Sequence, residues 1–471
     1  MPRLLASFVA FVIVVALGVA AWPYTVDDAY IVGRFAMNLA SGDGYGFNPG
    51  HTGDGVTGPL AVMPGVLAQW VGIDAVAAAK VFGLFCAALA AALVVQRAYE
   101  ASGAMLGWFT CCLVALTPTL GIWGQAGLET GGATLCFSVA VLAASREPVT
   151  NVKLLGLCAA AIAWLRPELL PATWVLIAWT ITRVTKRERI VLVSLCAIGV
   201  IGIVVFRLAM FGTLVPLSFF AKPGELGAGA GYTLRALVVH TTLAGAILAA
   251  YSTKRALQSV LVVHLLAVAL AGGDWMPGYR LFAPVIPLYA WLAADGALEL
   301  FRKQRRALAP MLLGLALVLP VLDIVVELPL AREAGHSRDR VGHEVASYLR
   351  SHAHRVALVD VGYLAYRSNL TVVDLGGVTD AAMGRARGPY LDKRISEAEL
   401  RAREPDTIVL HSQTPFEIDG DGRVRNMRGY GVEQRVGRMR WVHDNFRVAR
   451  VFRYAPNYHY AVLFLDGINA H

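Results

Sequence analysis

The chain has 471 residues, of which 56% are hydrophobic and only 16% charged, against roughly 25% charged in an ordinary soluble domain. Mean hydropathy is +0.56. These values exclude a disordered, collagen-like or disulfide-scaffold chain and argue against a soluble globular one. Repeated apolar runs near the length of a bilayer span make a polytopic helical membrane protein the expected class. The net charge of +9 does not point to nucleic acid. Lys and Arg sit in short clusters between apolar runs, and no basic stripe interleaves with aromatics.

The first apolar run covers residues 4–22, after Arg3. Gly18-Val19-Ala20-Ala21-Trp22 has the small residues of a signal-peptide cleavage site, but the many later runs favour an uncleaved helix. Residues 23–58 are polar and Gly-rich. Residues 59–72 are apolar but too short to span, so a surface or re-entrant segment is expected. Further spans are expected at 76–96, 103–119, 128–145, 152–164, 168–182, 189–209, 233–251, 256–271, 281–300 and 307–328, giving about 11 transmembrane helices. The short pieces 152–164 and 168–182 meet at Arg166-Pro167-Glu168. All six cysteines lie in apolar runs without metal-ligand spacing, which fits packing better than redox or metal chemistry.

Charge sets the expected orientation. With the N-terminus cytoplasmic, the inner segments hold Arg3, Arg97, Arg146, Lys153, Arg183, Lys186, Arg187, Arg189, Lys254, Arg255, Arg302, Lys303, Arg305 and Arg306. The short outer loops hold Arg34, Arg166, Lys222 and Arg280, with Lys80, Arg207 and Arg235 just inside the outer ends of spans. Fourteen against seven is a positive-inside bias. The loop 23–58 and everything after 330 are then extracytoplasmic, and the membrane is the cell inner (plasma) membrane.

Composition changes near residue 330. Residues 331–471 read as a small extracytoplasmic α/β domain. A helix is expected at 341–351 and strands at 355–360, 370–374, 407–410, 448–452 and 460–465. Residues 1–330 form the transmembrane domain, with 23–58 as its first outer loop.

The most informative stretch is Asp27-Asp28-Ala29-Tyr30, with Arg34 and Asn38 after it and Gly44-Tyr45-Gly46-Phe47-Asn48-Pro49-Gly50 beyond. Adjacent carboxylates just past a span perturb each other's ionisation and suit a general base or a cation site. Capping of a helix over 29–40 explains them equally well. Glu129, Arg166, Glu168, Lys222, Asp274 and Arg280 recur on the same expected side. Each alone reads as an interfacial anchor. Together they make a rim where cations hold a phosphate and carboxylates move protons. Gly42-Asp43-Gly44-Tyr45-Gly46 lacks a preceding strand and is turn chemistry rather than a nucleotide loop. His352-Ala353-His354 reads as a solvated helix end, Asp419-Gly420-Asp421-Gly422 as a tight turn, and Asn369-Leu370-Thr371 as part of a strand.

The first loop resembles the opening of membrane glycosyltransferases of the GT-C fold. The group it most resembles includes the terminal arabinofuranosyltransferase of the mycobacterial cell wall. Four later stretches agree in order: Gly127-Leu128-Glu129-Thr130; Trp164-Leu165-Arg166-Pro167-Glu168; Phe211-Gly212-Thr213-Leu214-Val215-Pro216 with Phe220-Ala221-Lys222; and Gly272-Gly273-Asp274-Trp275-Met276-Pro277-Gly278-Tyr279-Arg280. Val373-Asp374-Leu375-Gly376-Gly377-Val378-Thr379-Asp380 extends the likeness to about residue 380. Leu217-Ser218 stands where that group has Asn-Thr, and Thr57-Gly58 precedes Pro59-Leu60 where it has Ser or Asn.

The resemblance implies an inverting transferase. A sugar, arabinofuranose in that group, passes from a polyprenyl-phosphate donor to a glycan, lipid or protein acceptor at the outer face. Asp27 and Asp28 are the implied catalytic pair, with Asp27 as base; a divalent cation, if used, falls to the same pair. Arg34, Asn48, Glu129, Arg166, Glu168, Lys222, Asp274 and Arg280 are the implied substrate-binding residues. The rival reading is a transporter or flippase of lipid-linked sugars, which places ionisable residues at mid-span, whereas here the acids gather at one end.

Overall fold

The computed structural model describes residues 2–149, 151–222, 224–239, 242–274, 276, 278–305 and 307–467. Arg306 of the inner cluster, Pro223 beside Lys222, and Trp275 and Pro277 of the 272–280 motif lie outside the described residues. Among the described residues five helices are long and apolar enough to cross a membrane, or six with one bent pair taken as a span. The other expected segments form shorter apolar helices such as Thr130–Ala144, Val152–Leu165 and Arg255–Leu270.

The first helix, Pro2–Ala20, turns Ala6, Ala10, Val14 and Gly18 inward at four-residue spacing. These small side chains let it lie close along Ala75–Ala115. That second helix is hydrogen-bonded over 41 residues, yet Ser102 and Gly103 leave helical geometry, so the expected break after 96 is present as a kink. Where a span was expected at 233–251, the chain forms Leu226–Val239 and Leu243–Tyr251, bent by 84°. Thr242 caps the second piece by accepting the Gly245 N–H, which starts a new helix in mid-run. A short buried helix, Pro118–Gly124, was not foreseen.

The last span was expected to end at 328. Instead Leu308–Ser337 continues through a π-helical turn, Arg338–Gly342, into His343–His352. Arg338 fastens this helix to the end of the first span by donating to the carbonyls of Thr25 (2.6 Å) and Pro23 (2.8 Å). Lys80 binds the same turn through the carbonyls of Trp22 and Tyr24 and the Thr25 hydroxyl.

Beyond that helix lies a five-stranded sheet in the order β2-β1-β3-β7-β6. Its strands are β1 (Arg355–Leu358), β2 (Thr371–Asp374), β3 (Thr407–Ser412), β6 (Phe446–Ala455) and β7 (Tyr458–Leu465), while β4 (Glu417–Ile418) and β5 (Val424–Asn426) form a separate ribbon. The Asp419–Gly422 turn joins that ribbon, with the Asp419 carboxylate accepting backbone N–H groups from Asp421 and Arg423. β1, β2 and β3 are parallel; β7 and β6 add antiparallel. One core joins the loop 23–58 and its helix to this domain. Tyr30, Phe35 and Phe47 pack in one cluster with Val356, Leu358, Tyr363 and Val462. The loop and the C-terminal domain therefore share one side of the helical layer.

Candidate active site

The helix Asp27–Ser41 carries both acids in its first turn, where the amide dipoles favour negative charge. Its inward face is held from three directions. Tyr45 packs its ring on Phe35, Phe206 and Phe211. Arg34 is buried and donates to the carbonyls of Phe47 (2.6 Å) and Ala365 (2.6 Å) and to that of Leu370. Asn48 exchanges two hydrogen bonds with the Val372 backbone in β2 (2.8 and 2.9 Å). Arg34 and Asn48 were expected to bind substrate. The structure places both outside the cavity, tying the loop to the C-terminal domain.

The cavity itself, about 590 Å3, opens beside the first turn of this helix. Asp28, Glu129, Lys222, Asp274 and Arg280 all line it, brought together from four separate stretches. Lys222 Nζ lies 3.5 Å from Asp28 Oδ2 and over the Tyr390 ring at 4.9 Å. Arg280 is ion-paired to Asp274 through Nε and lies over Trp123 at 5.8 Å. Glu129 is delivered by a close helix crossing: a Cβ on Gly131 would sit 1.9 Å from the Gly83 carbonyl oxygen, so only glycine lets the two helices meet there. Glu129 Oε1 in turn pairs with Arg166 (3.0 Å).

Arg166 and Glu168 are absent from the lining. Arg166 is buried, bound to Glu129, to Glu168 (2.7 Å) and to the Thr130 hydroxyl (3.0 Å). The structure places Arg166 in an ion-pair cluster beside the cavity rather than on its wall. Asp27 also stands back from the cavity. Its carboxylate accepts the Gly362 N–H (2.9 Å) and the Tyr363 N–H (2.8 Å). A Cβ on Gly362 would lie 2.1 Å from the Asp27 carbonyl oxygen, so glycine is required at this contact. Burial pushes the Asp27 carboxyl up to about 7, reinforced by Asp360 and Asp28 and opposed by the two backbone hydrogen bonds.

Several cavity and supporting residues were not foreseen. Arg235 and Glu225 line the cavity, as do Tyr232, Tyr390 and Ser218. Burial, with Asp28 nearby, pushes the Tyr390 phenol well above its usual range. Asp54 pairs with buried Arg207 (2.6 Å) and accepts the Leu217 N–H, joining the first loop to the Lys222 loop. Asp360 follows β1 and accepts the hydroxyls of Tyr458 (2.5 Å) and Tyr460 (2.6 Å). Asp374 ends β2 and accepts N–H groups from Gly376, Gly377 and Thr379, shaping the loop that presents Val378 to the cavity. Burial pushes its carboxyl up to about 6. Both acids mark carboxyl ends of neighbouring parallel strands, where α/β sheets form crevices; the strand pattern carried that signal.

Among the described residues no group of three or more His, Cys, Asp and Glu is placed to hold a metal ion. Asp27 has both carboxylate oxygens on backbone amides, and Asp28 faces Lys222. The pair as arranged does not fit a two-carboxylate cation site.

Residues 330–464 match a domain of unknown function, DUF8728. No curated protein sequence matches the chain. Among solved structures it is similar to ArnT from Cupriavidus metallidurans in the apo state, with TM-score 0.58 and 14% identity over 86% of this chain and 92% of that one. The same protein bound to undecaprenyl phosphate gives 0.56 and 12% over 81% and 87%. An oligosaccharyltransferase from Archaeoglobus fulgidus in the apo form gives 0.52 and 13% over 86% and 69%. The chain thus has the GT-C fold, a multi-pass helical layer followed by an α/β domain.

Proposed function

We propose that the chain is an inverting glycosyltransferase. It takes a sugar from a polyprenyl-phosphate donor and passes it to a hydroxyl of a cell-envelope glycan, lipid or protein. The observation that carries this reading is the cavity in which Asp28 and Lys222 stand 3.5 Å apart with Arg280, Arg235 and Glu129 around them. One wall supplies a carboxylate for proton transfer and another supplies cations for a phosphate. Undecaprenyl phosphate bound to the similar ArnT structure supports a lipid-phosphate donor.

In this reaction the acceptor oxygen attacks the anomeric carbon as the bond to the lipid phosphate breaks. Asp28, rather than Asp27, accepts the hydroxyl proton, because Asp28 is the acid of the pair that lines the cavity. Lys222 turns from Asp28 to share the phosphate, and Arg280 and Arg235 neutralise the charge left on it. Asp27 holds the first turn against Gly362 and Tyr363, and so positions Asp28. Arabinofuranose is the sugar offered by the family resemblance. In this reading the cavity faces outward at the plasma membrane, with the N-terminus in the cytoplasm, which the charge bias supports.

The test is mass spectrometry of envelope glycans, lipids and proteins from a strain lacking the gene, complemented with the parent or Asp28→Asn protein. One sugar should be missing, restored by the parent and not by the variant. An unchanged envelope, or full rescue by Asp28→Asn at equal protein amount, would remove the assignment.

A further inference from the structure

The end of the helical layer away from Asp28 holds a second cavity, of about 490 Å3. The helix Thr130–Ala144 runs from Glu129 in the first cavity to Ser145 in the second. Fifteen residues at 1.5 Å each separate them by roughly 22 Å. Phe137, Ala140 and Val141 of that helix are fully buried, so packed side chains lie between the two.

The second cavity is basic. Arg97, Lys254 and Arg255 line it, with Glu147 as the one acidic lining residue among the described residues. Glu147 is already paired with Arg183 (3.1 Å). Asp295, beneath it, is occupied by Lys254 (3.3 Å), the Ser252 hydroxyl (2.7 Å) and the Thr253 N–H (3.1 Å). Nearby Glu100 is paired with Arg3 and Arg146. Arg97 and Arg255 have no carboxylate within ion-pair distance among the described residues. Arg97 donates to the Ser145 carbonyl (3.1 Å), and Arg255 donates to Gln258 Oε1 (3.0 Å) and the Ala250 carbonyl (3.4 Å).

Two neutral donors add to this charge. Arg255 opens the helix Arg255–Leu270, whose first turn has no side-chain cap and whose Ala256 and Leu257 line the cavity. Such a terminus offers amides to an anion. Trp291 lines the cavity and is 1% exposed, yet its indole N–H finds no acceptor among the described residues. A buried donor without an acceptor is costly unless a ligand supplies one.

We propose that this second cavity binds a phosphoryl anion, from an anionic phospholipid headgroup or a free phosphate, between Arg97, Arg255, the Trp291 indole and the Arg255–Leu270 helix terminus. Tetrahedral phosphate oxygens suit cations and N–H donors converging from separate helices, and basic pockets between membrane helices recognise lipid headgroups this way. The site is independent of the transfer chemistry at Asp28.

Native mass spectrometry of the full-length protein, titrated with phosphatidylglycerol, phosphatidylcholine or inorganic phosphate, tests this. Phosphatidylglycerol retained about tenfold more tightly than phosphatidylcholine assigns a lipid headgroup. Saturable inorganic phosphate without lipid preference assigns a free phosphate. In either case Arg97→Gln/Arg255→Gln should lose the preference, and Trp291→Phe, which keeps the ring and removes the N–H, should weaken it. Should the double variant fail to fold, Arg255→Gln at an exposed position gives the same readout. Equal binding of the two lipids with no phosphate binding, or parental affinity in a folded arginine variant, would overturn the proposal.

Discussion

Asp27 and Asp28 are neighbours in the chain with opposite surroundings. Asp28 faces a cavity and a lysine; Asp27 faces two backbone amides of the C-terminal domain. Asp28→Asn should reduce transfer by about 10² to 10⁴, the usual weight of a general base, measured at equal protein amount. Asp27→Asn tests a different property. Its carboxyl titrates near 7 in the folded chain against 3.8 ordinarily, so the folded state binds the extra proton between those values. The contribution of Asp27 to stability is then fully present below about 4 and is lost as pH rises through about 7. Melting temperatures from pH 5 to 8 should show this slope in the parent and a flatter one in Asp27→Asn. Lys222→Ala should fold normally and lose donor affinity, with Lys222→Arg recovering part of it. Arg166→Ala should lower the melting temperature, because the part-buried Glu129 and Glu168 would face each other without the buried cation between them; a parental melting temperature would contradict this. The paired acids could be found in the sequence because they are consecutive and lie just past a span. Asp360 could not be tied to them, since its segment meets Asp27 across 335 residues of chain at the Gly362 contact.

At the scale of elements, long apolar runs were legible because composition alone makes them helices. The kink at Ser102-Gly103, the five strands of the main sheet and the helix after 341 followed from periodicity and punctuation, whereas the short β4–β5 ribbon did not. The bend at 84° and the buried helix Pro118–Gly124 were not legible, because apolar sequence looks the same whether it continues or folds back. The positions of Arg34 and Asn48, outside the cavity lining, were not legible for a related reason. A buried Arg bound to three carbonyls has the same one-letter signature as a phosphate ligand. The contact that orients the helix Asp27–Ser41 is Gly362 against Asp27. Gly362→Ala should cost roughly 1–3 kcal/mol by overpacking and lower transfer as well, although it touches no cavity residue. Its melting temperature and transfer rate, measured together, check this.

For the whole molecule, one core joins the first loop to the α/β domain, and Arg338 and Lys80 lock both to the end of the first span. The Asp28 cavity and the C-terminal domain therefore lie on the same side of the helical layer. The proposed orientation, drawn from the basic clusters, has that side outside. A reporter active only in the cytoplasm, fused to the C-terminus, should be silent; activity would reverse the orientation. The most direct test of the account is transfer by the purified full-length protein from a polyprenyl-phosphate sugar to an envelope acceptor, followed by mass spectrometry with parent and Asp28→Asn side by side. The account predicts an acceptor heavier by one sugar, with an inverted anomeric linkage and free polyprenyl phosphate, in the parent reaction alone. Equal product from Asp28→Asn, or a retained anomeric configuration, would contradict it.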